Sequence, residues 1–197
     1  MGKTHAVDYF CLHLARSRPD VLTLRMSCEF HRTDFEGPFF CALLIAVGAS
    51  GEALKASNTD KRQELIRRCR ERLAARRGHI VVLFCDEAQR QSKNSYEWLR
   101  DVHDQLAYHG IRLITFLVGQ PQLLGQKGRF QMSGDEQIVA RFMIEQLGFA
   151  GIQDAGDAAT CLAGYDQTRY PDWNASIGSI IGACSSRSAM SRRRSSS

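Results

Sequence analysis

His79-Ile80-Val81-Val82-Leu83-Phe84-Cys85-Asp86-Glu87-Ala88-Gln89 decides how the rest of this sequence is read. Six apolar residues, several of them β-branched, run without interruption into two adjacent carboxylates. A short continuous apolar run is the pattern of a strand buried on both faces, and such strands belong to parallel sheets covered by helices. In open sheets of that kind ligands sit beyond the carboxyl ends of the strands, and Asp86 and Glu87 fall there. Two carboxylates crowded at such an edge require positive compensation, most simply a metal ion carrying a phosphate. In that reading Asp86 holds Mg²⁺ and Glu87 polarises a water. The same pair also suits an ordinary helix N-cap with an acidic first turn, and this stretch alone leaves both readings open.

Working outward, the repeat of strand, helix and short turn continues on both sides. Downstream, Trp98, Leu99, Val102 and Leu106 mark an amphipathic helix that Gly110 ends. Ile111 to Val118 reads as a second buried strand, closing in Gly119-Gln120-Pro121-Gln122-Leu123. Upstream, Ser57 to Asp60 supply N-cap candidates for a helix whose apolar stripe is Leu65, Ile66, Cys69 and Leu73. The arginines around that stripe (67, 68, 70, 72, 76 and 77) suit either a solvated helix face or a nucleic-acid contact. Before it, Gly37-Pro38 opens a hydrophobic helix over Phe39–Val47, and Val21 to Met26 reads as a strand after the break at Arg18-Pro19-Asp20. This βαβ rhythm predicts a parallel sheet with right-handed crossovers.

At the start, Gly2-Lys3-Thr4 runs directly into a helical pattern with Val7, Phe10, Cys11 and Leu14 spaced for one buried face. Gly-Lys-Thr opening a helix is the second half of a phosphate-binding loop, G-x-x-x-x-G-K-[ST]. The lysine would reach the β- and γ-phosphates, the threonine hydroxyl would bind Mg²⁺, and the first N–H groups of the helix would add partial positive charge. As a tripeptide it is also a common chance match.

Bulk properties narrow the field. The 197 residues suit one α/β domain with a small appendage, and 44% hydrophobic content fills a core. Nothing approaches the ~18 apolar residues of a membrane span. The net charge of +5 permits contact with nucleic acid without requiring it. Seven cysteines, odd in number and with no C-x-x-C pair, form neither a zinc site nor a disulfide framework, which predicts reduced thiols in a cytoplasmic protein. After Gly134, Asp135 to Ile144 looks helical. Beyond Gly151 the composition loosens into Gly, Ala, Asp and Ser, and residues 185–197, with Arg192-Arg193-Arg194 among serines, read as a disordered tail.

Taken in order, Gly2-Lys3-Thr4, VVLFCDEAQ (81–89), LITFLVGQPQLL (113–124) and QIVARF (137–142) resemble the AAA+ ATPases of the origin-recognition-type branch. Within it the chain looks most like bacterial ATP-binding proteins of transposition systems, the TniB type, and is also similar to secretion ATPases of the ExeA type. The resemblance covers roughly residues 2 to 150. It implies a three-layer αβα P-loop fold, a core over 1–150 and a partial lid or small helical segment over 151–184. It further implies ATP and Mg²⁺ as cofactors, a homo-oligomer, and a transposase, recombinase or DNA as partner. Lys3 and Thr4, with Gly2 before them, match the Walker A residues. Asp86 and Glu87 match the Walker B pair. Gln120 falls in the sensor 1 region, with Thr115 as an alternative, and Arg141 matches the arginine that in this family reaches into a neighbouring subunit. The alternative use of Arg141 is a surface salt bridge. Arg169 is the nearest match for sensor 2. In this family a strand and the first half of the phosphate loop precede Gly2, so the expectation is a domain lacking its first strand, N-terminally truncated. A different class of function stays open beside it, a non-catalytic module that binds partners through the arginine-rich helix.

Overall fold

The computed structural model describes residues 2–29 and 34–167. They divide into two units, Met1–Leu147 and Gly148–Ser197. In the second unit the described part holds one helix, α7 (Ala155–Gln167). The serine- and arginine-rich segment and Arg169 lie outside the described residues.

The first unit is built on three parallel strands, β1 (Val21–Ser27), β2 (Ile80–Asp86) and β3 (Arg112–Leu117), in the order β1-β2-β3. The helices are α1 (Lys3–Ser17), α2 (Glu36–Ala46), α3 (Asn58–Arg76), α4 (Lys93–Tyr108), α5 (Gln122–Met132) and α6 (Glu136–Phe142). The apolar run at 80–85 is the central strand, buried from Val81 onward. Its register places Leu24 beside Leu83 and Ser27 beside Asp86, with Phe116 beside Phe84 on the other flank.

Alternation along β2 separates two cores. Val81, Leu83 and Cys85 pack with Leu22, Leu24 and Met26 beneath α2, α3 and α4, where Phe40, Leu44, Leu65 and Leu99 are fully buried. Val82 and Phe84 face the other way, into a smaller cluster with Val21 and Val7 of α1. Each of these side chains contributes about 1.5–3 kcal/mol by leaving water, which is why the strand tolerates no polar residue before Asp86. A third cluster of Tyr96, Phe130, Ile138 and Met143 fastens α5 and α6 to the start of α4.

Three sequence readings need correction. Phe10 is 52% exposed, because α1 presents only Val7, Cys11 and Leu14 to the sheet. β3 is buried on one face only. Leu113 lies in the main core, but Ile114 and Phe116 are 38% and 44% exposed on the α1 face. That helix covers β1 and β2 and leaves β3 with little more than the stacking of Phe116 on Phe84. The segment after Gly119 is not only a loop. Pro121 sits at the N-cap of α5, where its missing N–H costs nothing.

Ser57 caps the start of α3 by accepting the Asp60 N–H, and the left-handed residue closing the helix is Arg77, at φ 53°. Gly78 serves another purpose. A Cβ there would lie 1.7 Å from the carbonyl oxygen of Asp20, so the turn entering β1 and the turn entering β2 touch backbone to backbone. Gly78→Ala is therefore expected to lower stability by about 3 kcal/mol through forced separation of these turns, read as a fall in urea midpoint at unchanged m-value.

Candidate functional site

The site forms at the carboxyl edge of the sheet. Asp86 is the last residue of β2 and is only 5% exposed. A carboxylate so hidden must have its oxygens satisfied. Oδ1 accepts the N–H of Glu87 at 3.0 Å, and Oδ2 accepts from Nη2 of Arg25 on β1 at 3.2 Å. The second guanidinium nitrogen, Nη1, bonds the carboxylate of Asp8 on α1. One arginine thus joins helix α1 to strands β1 and β2.

That chain of contacts locates the start of α1. Its fifteen residues rise about 22 Å, close to the span of about 23 Å of the seven-residue β1. The turn Arg18–Asp20 reverses the chain between them, so α1 runs antiparallel to β1 and its first residues return to the edge where Asp86 lies. Asp8, in the second turn, touches Arg25, the third-last residue of β1. Gly2, at φ 100°, takes the left-handed conformation that glycine adopts freely and caps the helix without a side-chain bond. The first amides of α1 are therefore open to an outside acceptor. Lys3 is half-buried and Thr4 exposed at this end.

Glu87 is the sharpest local feature. It is one of two non-glycine residues with positive φ among the described residues (57°, ψ 37°). A left-handed carboxylate residue costs on the order of 1 kcal/mol and persists where its neighbours impose it. Here Gln89 does so. Its Nε2 donates to Oε2 of Glu87 at 2.8 Å while its Oε1 accepts the N–H of Gln120 at 3.1 Å. Gly119 makes room for that amide, since a Cβ would meet Oε1 at 2.6 Å. Arg90 stands 3.6 Å from the same Glu87 oxygen.

The structure thus gathers Asp86, Glu87 and the backbone of Gln120 at one edge, and directs the α1 end with Gly2, Lys3 and Thr4 toward it. Thr115 sits two register steps short of the strand end, beside Leu83, so it is interior. Arg141 is elsewhere. It donates to Asp104 on α4 at 2.8 Å, about three turns below that helix's N-cap at Ser92. Arg25, Asp8 and Gln89 were not singled out by sequence. Gln89 had a signal, as the fourth residue of the acidic motif; an arginine inside an apolar strand was the signal for Arg25.

The residues suit a magnesium–phosphate group. Asp86 and Glu87 carboxylates and the Thr4 hydroxyl are the hard oxygen donors that Mg²⁺ prefers, and the buried Asp86 has one arginine, shared with a second acid, as its counter-charge. Among the described residues no three or more His, Cys, Asp or Glu side chains are grouped to hold a metal ion. No helix among the described residues is long and apolar enough to cross a membrane.

A family model described as an AAA domain matches residues 1–126, well over half of the chain. No curated protein matches, and no solved structure does. From the geometry, Gln89→Ala should free both the Gln120 amide and the Glu87 carboxylate. Faster hydrogen exchange at Gln120 and a stability loss of about 1 kcal/mol are expected, read by exchange NMR and chemical denaturation.

Proposed function

This chain belongs to the AAA domain family, and from that premise we propose that it binds ATP with Mg²⁺ at the carboxyl edge of the β1-β2-β3 sheet and hydrolyses it. The family is one of P-loop nucleotide-binding ATPase domains, and the mixed α/β architecture with a parallel sheet agrees with it. The observation that carries the assignment to particular residues is the Asp8–Arg25–Asp86 chain. It ties the helix beginning Gly2-Lys3-Thr4 to the strand ending in Asp86-Glu87.

In this reading Lys3 and the first amides of α1 bind the β- and γ-phosphates, where a helix N-terminus favours anions. Thr4 and Asp86 hold Mg²⁺. Glu87, turned out of the strand by its left-handed backbone, orients and polarises the attacking water, and Gln120 reads the γ-phosphate from the end of β3. Bound metal would neutralise charge on the phosphates; the protein's own part is to position the groups and exclude water. Arg141, held at the surface by Asp104, belongs in this proposal to a contact with a second copy.

The finer assignment, an oligomeric, DNA-associated regulator of transposition of the TniB kind, rests on the motif order DEAQ…VGQPQL. The arginine-rich α3 lends little to direct DNA binding. Arg67 and Arg68 clamp Glu64, holding its carboxyl down to about 2, and Arg72 bonds the carbonyl of Val47.

A fluorescent ATP analogue titrated onto the full chain tests the nucleotide reading, with micromolar or tighter binding expected and no binding at millimolar concentration rejecting it. Glu87→Gln is expected to leave that binding within about twofold while lowering turnover by about 10²- to 10⁴-fold. Turnover at the unmodified rate would remove Glu87 from the mechanism.

A further inference from the structure

We propose that Arg25 is a latch on the metal seat of Asp86, closed when no divalent cation is bound and transferred to Asp8 when one arrives. The proposal rests on the nucleotide reading above and adds a residue that the motifs do not contain.

The geometry is a three-member relay. Nη2 of Arg25 lies 3.2 Å from Oδ2 of Asp86, while Oδ1 of the same carboxylate already accepts the Glu87 amide. Both oxygens of the carboxylate thus carry a donor, and a divalent ion bound to either would lie beside the guanidinium. A guanidinium and a divalent ion held by the same buried carboxylate repel each other, which favours release of one when the other binds. Yet Asp86, almost wholly hidden, cannot stand without positive charge. In the structure the arginine meets that need.

Asp8 gives the arginine somewhere to go. It bonds the other nitrogen of the fork, and its side chain is 48% exposed, against 7% for Asp86. A guanidinium released from Asp86 keeps its bond to Asp8 and gains water, so opening leaves neither charge stranded. Lysine could not serve equally, because one ammonium lacks the planar fork that reaches two carboxylates at once. Asp8 belongs to the helix that begins at Lys3, so opening is coupled to the element proposed to bind phosphate. A latch of this kind makes the edge ready for Mg²⁺ arriving with nucleotide and resistant to the bare ion.

The test is Mn²⁺ binding to the full chain without nucleotide, followed by the electron paramagnetic resonance signal of free Mn²⁺. If the latch is closed about nine-tenths of the time, its removal tightens apparent affinity about tenfold. Arg25→Gln is expected to show this gain. Asp8→Asn leaves Arg25 with Asp86 alone and should weaken Mn²⁺ about two- to threefold, while Asp86→Asn should abolish binding. Charge alone would move Arg25→Gln and Asp8→Asn in these same senses, so Arg25→Lys, which keeps the charge and loses the fork, decides: binding tighter than wild type is expected of a latch and unchanged binding of a mere counter-ion. Should Arg25→Gln fail to fold by circular dichroism, Arg25→Lys replaces it and is expected between wild type and the Gln value. Unchanged or weaker affinity on loss of the guanidinium fork, or tighter binding in Asp8→Asn, overturns the latch while the metal seat stands. Absence of Mn²⁺ uptake by both wild type and the Arg25 variant at millimolar metal overturns the latch and the seat together. The ATP-analogue titration reports the nucleotide reading separately.

Discussion

A carboxylate at the end of a strand buried on both faces must find positive charge or cost several kcal/mol, and in this molecule it finds Arg25. The apolar strand from Ile80 to Cys85 cannot shift along its axis without dragging Asp86 into a hydrocarbon core, so its register against β1 is fixed by charge as well as by packing. The same arginine reaches Asp8, which sets how far α1 extends toward the carboxyl edge. One guanidinium shared by two acids thus ties α1 to the carboxyl ends of both strands.

The turn beyond Asp86 converts that placement into directed chemistry. The left-handed backbone at Glu87 breaks the strand's alternation, so the second carboxylate does not enter the sheet face that alternation would assign to it. Gln89 holds the turn from both ends, bonding the Glu87 side chain and the amide of Gln120. The ends of β2 and β3 are thereby connected through one side chain, in addition to the backbone bond from Ala88 to the Val118 carbonyl.

Sequence periodicity revealed what depends on neighbours close in the chain. The continuous apolar run identified β2, the Leu65–Leu73 stripe identified α3, and the acidic pair fell at the sheet edge as the strand rule requires. Features that depend on distant partners were not legible. Phe10 and Phe116 are apolar and correctly spaced, but whether they are buried depends on how much sheet one helix covers. Nothing in the sequence around Gly78 announces its close approach to Asp20, a contact between residues far apart in the chain. Arg25 looked like the polar exception in an apolar strand until Asp8 and Asp86 appeared on either side of it. Composition likewise missed α5, whose glycines and glutamines dilute any helical period.

Charge is informative only after its partners are subtracted. The arginines of α3 form a conspicuous basic cluster, yet Arg67, Arg68 and Arg72 each have a carboxylate or carbonyl within bonding distance. Arg141 is held by Asp104, and Arg25 by two acids at once. Lys3 differs. Among the described residues it forms no ion pair, and it sits beside helix amides that no side chain caps. An anion approaching the carboxyl edge therefore meets a cation with no competing internal partner, together with a helix dipole of the same sign. Asp86 and Glu87 lie at the same edge and would repel a bare phosphate, which is why the proposed nucleotide would come with a divalent ion.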